Sequence, residues 1–333
     1  YPGVTITVLS QTPVKDKYFL DFFASHNIRL IDDVFPKKHH VGFVTNWLFN
    51  RKLKKIFDNS DYIIDFANFS YSKYLDNIYK PKIGWCHGSS LFFDLIYRYH
   101  NFNQYDKIVF LTKSCCDDIK RKYPDLAPKI TQIYNPIDYK NIKKKERKNK
   151  FRKPYFCAVQ RLNTDKDVAT IIKAFNIFSE QNPEVRLFIV GDGPLRQSLT
   201  ELAQCNTNII FLGQQDEPYS IISGALALIL SSTTQIGEGL ANVLLEAHAL
   251  KTLAISSDVP SGPREVLMDG RAGVLFEPGN ADELATVMLD VYKKRIDTKK
   301  LISNGYQNLD RFDSKNIVRK FFSVLGISEI TSK

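Results

Sequence analysis

The 333-residue sequence has little that would staple or anchor it. Its five cysteines, Cys86, Cys115, Cys116, Cys157 and Cys205, form no C-x-x-C pair and no Cys/His cluster with zinc spacing. An odd count in a chain long enough to bury a large core reads as reduced thiols and predicts a cytoplasmic protein. No apolar run approaches the roughly 18 residues that cross a bilayer, and the longest near the centre, Ala225 to Leu230, has the length of a buried strand. The chain opens on Tyr1-Pro2-Gly3 rather than a basic segment and apolar stretch, so no secretory signal is read. A Walker A loop, a Gly-x-Gly-x-x-Gly fingerprint and a Gly-x-Ser-x-Gly elbow are all missing, which counts against ATPase, dehydrogenase and hydrolase chemistry. His39, His40, His100 and His248 have no partner at metal-ligand spacing.

What the sequence has in excess is positive charge, 46 Lys and Arg against 36 Asp and Glu, for a net +10. With no zinc finger, RNP-like stretch or basic zipper, nucleic acid is a poor match for it. Part of the excess sits in Lys140, Lys143, Lys144, Lys145, Arg147, Lys148, Lys150, Arg152 and Lys153. Few apolar residues interrupt this run, so 139–153 is expected to be a linker. It reads either as a solvated tether or as a contact for an anionic membrane surface or a phosphate-bearing acceptor.

On both sides of the linker short apolar strands alternate with helical periods, the pattern of α/β domains with largely parallel sheets. The expected division is a first Rossmann-like domain over 1–138 and a second over 154–312. A final amphipathic helix within 313–333 carries Ile317, Phe321, Phe322 and Leu325 on one face and is expected to cross back onto the first domain. Two such halves leave a cleft between them, a preferred place for a small-molecule site. The first strand, Val4 to Leu9, has no glycine-rich turn around it. The first domain is therefore expected to lack its opening βα unit, through a late start or a real abbreviation.

The stretch Ser231 to Glu246, SSTTQIGEGLANVLLE, carries the most chemistry. Gly237 and Gly239 permit backbone conformations closed to other residues and present Glu238 from a tight loop at a strand's carboxyl end. Asn242 and Val243 open a helix whose first N–H groups lack internal partners, a ready anion site. Glu246 follows about one turn in. Two carboxylates beside an anion site suit a polyol such as a sugar or ribose, because a carboxylate accepts hydrogen bonds from two hydroxyls. The plainer reading is that both favour the positive end of the helix dipole. Arg161 lies just past the strand Tyr155 to Gln160, with Lys166 at the opening of the next helix; two cations there can neutralise charge on a leaving diphosphate, or are ordinary surface charges. His87 follows the strand Lys82 to Cys86 and is followed by Gly88, which suits an imidazole that bonds a sugar hydroxyl or a satisfied structural histidine. The aromatics Phe92, Phe93, Tyr97, Tyr99 and Phe102 read either as packing or as a membrane-facing set.

Glu238-Gly239-Leu240-Ala241-Asn242-Val243-Leu244-Leu245-Glu246 resembles the E-x7-E motif of the retaining GT-B glycosyltransferases of family 4. AVQRLNTDKD at 158–167, LFIVGDGPLR at 187–196, IIFLGQ at 209–214, SGPREVLMDGRAGVLF at 261–276 and YNPID at 134–138 resemble that family too, and the likeness covers roughly 105–325. It implies a GT-B fold, two Rossmann-like domains across a cleft, with a nucleotide sugar held mainly by the second. By that analogy Arg161 and Lys166 bind the diphosphate, Glu246 the ribose, Glu238 the transferred sugar, and main-chain groups around Gly239, Leu240, Asn242 and Val243 face the phosphates or sugar. His87 reaches the sugar from the first domain. Transfer is expected with retention, through a front-face mechanism and without a bound metal or other cofactor. The SGPRE stretch resembles bacterial enzymes of surface-polysaccharide or lipid-linked-oligosaccharide synthesis that use UDP-sugars. A UDP-linked hexose or N-acetylhexosamine donor and a saccharide or lipid-linked acceptor at the inner face of the cytoplasmic membrane follow. Two departures are Asp167, where the family has glycine after the lysine, and the missing opening glycine-rich loop. The competing readings are a GT-B epimerase or phosphorylase, and a sugar-nucleotide sensor or inactive partner.

Overall fold

The computed structural model describes residues 4–10, 14–15, 17–31, 43–146, 151 and 153–327. His39, His40, Arg147, Lys148, Lys150 and Arg152 lie outside the described residues. Three parallel sheets are described. A pair is formed by β1 (Thr7–Leu9) and β2 (Arg29–Ile31). Four strands, β3 (Ile63–Asp65), β4 (Lys82–Cys86), β5 (Lys107–Phe110) and β6 (Ile130–Gln132), lie side by side in chain order. The second domain has six: β7 (Tyr155–Val159), β8 (Arg186–Val190), β9 (Ile209–Gly213), β10 (Leu228–Leu230), β11 (Ala254–Ser257) and β12 (Val274–Phe276). Their order is β12-β11-β10-β7-β8-β9, so the chain reverses direction of travel between β7 and β10. The connections leaving those two strands diverge, which opens a crevice at their carboxyl ends.

Strand alternation decides which core each side chain enters. On β4, Ile83 and Trp85 join a core that runs on into the second domain through Tyr134, Leu240 and Leu244, while Cys86 points into the first domain's own core with Phe69, Phe93 and Phe110. On β7, Tyr155 and Cys157 face the shared core, and Phe156 and Ala158 face the second domain's other layer. Each of the buried phenylalanines contributes roughly 1.5–3 kcal/mol relative to exposure. The aromatic stretch after β4 belongs mostly to this interior. Phe93 and Phe102 are buried, and Tyr97 stacks on Phe102 with rings 5.5 Å apart, leaving Tyr99 as the exposed aromatic of that group.

The segment after residue 138 is not a bare tether. It opens with a helix, Tyr139–Lys145, whose first turn is capped by Asp138 accepting from the Asn141 N–H at 3.0 Å. Ile142 is buried in the shared core, and Lys145 pairs with Glu217 at 3.0 Å. An N-cap and one apolar anchor outweigh the mutual repulsion of the lysines, which point to solvent.

The last helix, Ser314–Val324, returns to the first domain. Ile137 and Asp313 form a parallel bridge, the Ile137 N–H donates to the Phe312 carbonyl at 2.9 Å, Phe321 packs on Trp85 with ring centres 5.8 Å apart, and Lys320 Nζ donates to Gln132 at 2.7 Å.

Candidate functional site

A cavity of ≈ 410 Å³ lies between the two domains at the carboxyl ends of β4, β7 and β10. Its walls include His87 and Asn135 from the first domain and Gln160, Lys166, Glu238, Gly239, Asn242 and Val243 from the second. Seven of the residues expected from sequence therefore meet in one place: His87, Lys166, Glu238, Gly239, Leu240, Asn242 and Val243.

Glu238 is 8 % exposed and paired with Lys166. The same carboxylate oxygen, Oε1, accepts from the Ser232 hydroxyl at 2.6 Å, while among the described residues Oε2 has no partner. The loop that presents it is fixed from both sides. Its backbone pairs with Ser261, and the Gly262 N–H donates to the Glu238 carbonyl at 3.3 Å. Gly239 is required by a close approach, since a Cβ there would stand 2.0 Å from the His87 carbonyl oxygen. Lys166 is set by its own backbone. Its carbonyl accepts from Ser231 at 2.8 Å and from the Gln160 amide at 3.3 Å, and the next residue, Asp167, turns the chain into a helix at φ 38°. The glycine expected there is replaced by a residue that tolerates the left-handed region.

The helix Asn242–Ala249 begins at Ala241, which sits at φ 58°, ψ 63° and provides no side-chain cap. Its leading N–H groups are thus left for whatever enters the cavity. Glu246 lies on this helix but does not line the cavity; burial pushes its carboxyl up to about 7. Arg161 is also off the wall. Its side chain is 74 % exposed and, among the described residues, forms an ion pair with Asp165 at 3.9 Å. Of the two expected phosphate cations, Lys166 lines the cavity and Arg161 does not, although its chain neighbour Gln160 does.

His87 is oriented by three neighbours. Its N–H donates to Asn68 at 2.6 Å, its ring Nε2 lies 3.0 Å from the Phe66 carbonyl, and the Phe66 and Trp85 rings flank it. Burial lowers its pKa, so the ring is neutral near pH 7. A neutral ring that donates from Nε2 turns Nδ1 into an acceptor, suited to a hydroxyl hydrogen. His100 and His248 are structural. The first meets the Ser72 hydroxyl at 2.9 Å, and the second is buried against the Ala272 carbonyl at 3.0 Å.

Four contributors escape a reading of the sequence: Gln160, Asn135, Ser232 and Ser89, whose hydroxyl donates across the cleft to the Ile236 carbonyl. Ser232 is the one with a legible signal, being at the end of a strand in the same short stretch as Glu238. Among the described residues no three His, Cys, Asp or Glu side chains stand together as a metal site, and no helix is long and apolar enough to cross a membrane.

The sequence pattern of the glycosyl transferases group 1 family matches residues 138–308. An uncharacterized glycosyltransferase of Methanocaldococcus jannaschii is 26 % identical over 310 residues, covering 81 % of this chain and 73 % of the relative. A Campylobacter jejuni 4-alpha-N-acetylgalactosaminyltransferase acting on a diphospho-undecaprenol-linked sugar is 26 % identical over 183 residues, 54 % of this chain and 48 % of the relative. The chain thus spans about half the length of that second relative. Among solved structures, Anabaena HepE in complex with UDP and glucose superposes with a TM-score of 0.76 at 16 % identity, covering 97 % of this chain and 100 % of HepE. The two facing parallel-sheet domains are the GT-B arrangement, and the chain belongs to the glycosyl transferases group 1 family.

Proposed function

We propose that the protein transfers a hexose or N-acetylhexosamine, with retention, from a UDP-linked donor to a saccharide or lipid-linked acceptor in cell-surface glycan synthesis. The observation that carries this reading is the Lys166–Glu238 pair set beside an uncapped helix start inside the interdomain cavity. A diphosphate draws on Lys166 and on the N–H groups of Asn242 and Val243, and on Arg161 by the family resemblance. Together they neutralise the charge that builds as the sugar leaves, which is why no bound metal is required in this scheme. Glu238 Oε2 and His87 Nδ1 then accept from sugar hydroxyls, and Glu246, which does not line this cavity, is assigned the ribose on the family resemblance alone. The leaving phosphate itself takes the acceptor's proton, so no side chain is assigned as general base.

Support for the UDP-sugar comes from HepE, solved with UDP and glucose, and support for a lipid-linked acceptor from the name of the Campylobacter relative. The exposed lysines Lys140, Lys143 and Lys144 suit a peripheral position at the anionic inner face of the cytoplasmic membrane. The test is turnover and UDP affinity of Glu238→Gln with a panel of UDP-sugars. Turnover is expected to fall about 10²- to 10³-fold with UDP affinity unchanged, the size seen on removing one preorganised group; unchanged turnover would overturn the assignment.

A further inference from the structure

Below the cavity, the second domain reaches into the first through one carboxylate. Glu265 lies on the short helix Gly262–Val266, and its side chain is 12 % exposed. Its Oε2 accepts from the Lys113 N–H at 2.9 Å and from the Ser114 N–H at 3.4 Å, at the start of the first-domain helix Lys113–Lys122. Its Oε1 accepts from the hydroxyl of Tyr134, also in the first domain, and lies 3.6 Å from the Arg311 guanidinium. Burial and this carboxylate both push the Tyr134 phenol's pKa upward. Thr112 caps the same helix from within, accepting from the Cys115 N–H at 3.3 Å. The helix start is thus filled by one cap from each domain.

Both ends of this contact lead to the cavity in a few residues. On the first-domain side, Leu111 lines the cavity and immediately precedes the Thr112 cap. On the second-domain side, Ser261, at the entry of the Glu265 helix, pairs with the backbone of Glu238. We infer that Glu265 is a positioning residue that latches the domains at the spacing that brings His87 against the Glu238 loop. It takes hold of the first domain through backbone N–H groups, so its partner cannot rotate away as a side chain would. The consequence for catalysis rests on the transferase reading above; the latch itself does not.

The experiment therefore has two arms. Cys205 is the exposed cysteine of the five, and Tyr79 is 95 % exposed in the first domain, so spin labels on Cys205 and on Tyr79→Cys report the interdomain distance. The proposal expects one narrow distance population in the otherwise wild-type protein, broadened or lengthened by Glu265→Ala and largely restored by Glu265→Gln, whose amide oxygen still accepts from backbone N–H groups. Superimposable distributions for Glu265→Ala and the parent would overturn the latch. In the second arm, Glu265→Ala is expected to lower kcat by about ten- to a hundredfold, with UDP affinity within about twofold and Glu265→Gln close to wild type. Loss of UDP affinity in step with kcat, or equal loss in Glu265→Gln, would overturn the positioning role. Tyr134→Phe, which removes one hydroxyl, should show the same distance change in smaller degree, so the latch remains decidable even if Glu265→Ala does not fold.

Discussion

Two helices begin at the cleft, and they are finished in opposite ways. The first-domain helix starting at Lys113 has its leading N–H groups taken by Thr112 and by Glu265 from across the cleft. The second-domain helix starting at Asn242 has an alanine where a cap belongs, in the left-handed region, with no side-chain acceptor. Equal partial charges stand at both. One is spent on holding the domains together, the other is left for a ligand. The start without a side-chain cap, beside the half-buried Lys166, is the one the proposed function assigns to the diphosphate.

The hardest way to break this comparison is to separate the two starts. Gly239→Ala places a Cβ against the His87 carbonyl, a backbone contact that is relieved only if the Glu238 loop or the spacing of the two domains shifts. Turnover should fall by at least about a hundredfold while thermal unfolding of the second domain persists, checked by kinetics together with calorimetry. Filling the open start is gentler. Ala241→Asp puts a carboxylate where the diphosphate belongs, so UDP affinity should weaken about fivefold, roughly 1 kcal/mol, in titration calorimetry, whereas Ala241→Gly leaves it unchanged. The smallest effect concerns protons. Burial pushes the Glu246 carboxyl pKa up to about 7, from an ordinary value of 4.5. A raised carboxyl favours the folded state below the unfolded value, and that contribution is lost as pH rises through about 7. A ribose that bonds the ionised form must expel the proton. Nucleotide binding at pH 7 is expected to release about half a proton, read from the dependence of the heat on buffer ionisation, and none in Glu246→Gln.

Legibility from sequence tracked distance along the chain. The loop from Gly237 to Glu246 is contiguous, so its glycines, carboxylates and helix start could be read together. The partner of Glu238 could not, because Lys166 stands 72 residues away and the pair exists only once β7 and β10 lie side by side. Glu265 was visible as part of a family-like stretch, yet its role depends on Lys113, 152 residues distant. Arg161 and Glu246 were placed on the correct elements, but neither side chain lines the cavity, since spacing gives an element's face and not the depth at which a side chain ends. The helix Tyr139–Lys145 was hidden by its lysines, although Asp138 followed by Tyr139 and Ile142 is a cap with an apolar anchor.

The chain crosses between domains twice, once after Tyr134 and again at Phe312, and the two crossings lie next to each other, tied by the Ile137–Phe312 hydrogen bond. Two crossings bound to each other at one point act as a single pivot, so a change in domain spacing is expected as a rotation about Ile137 and Phe312 rather than a slide, which the two spin-label positions would read as a change of distance.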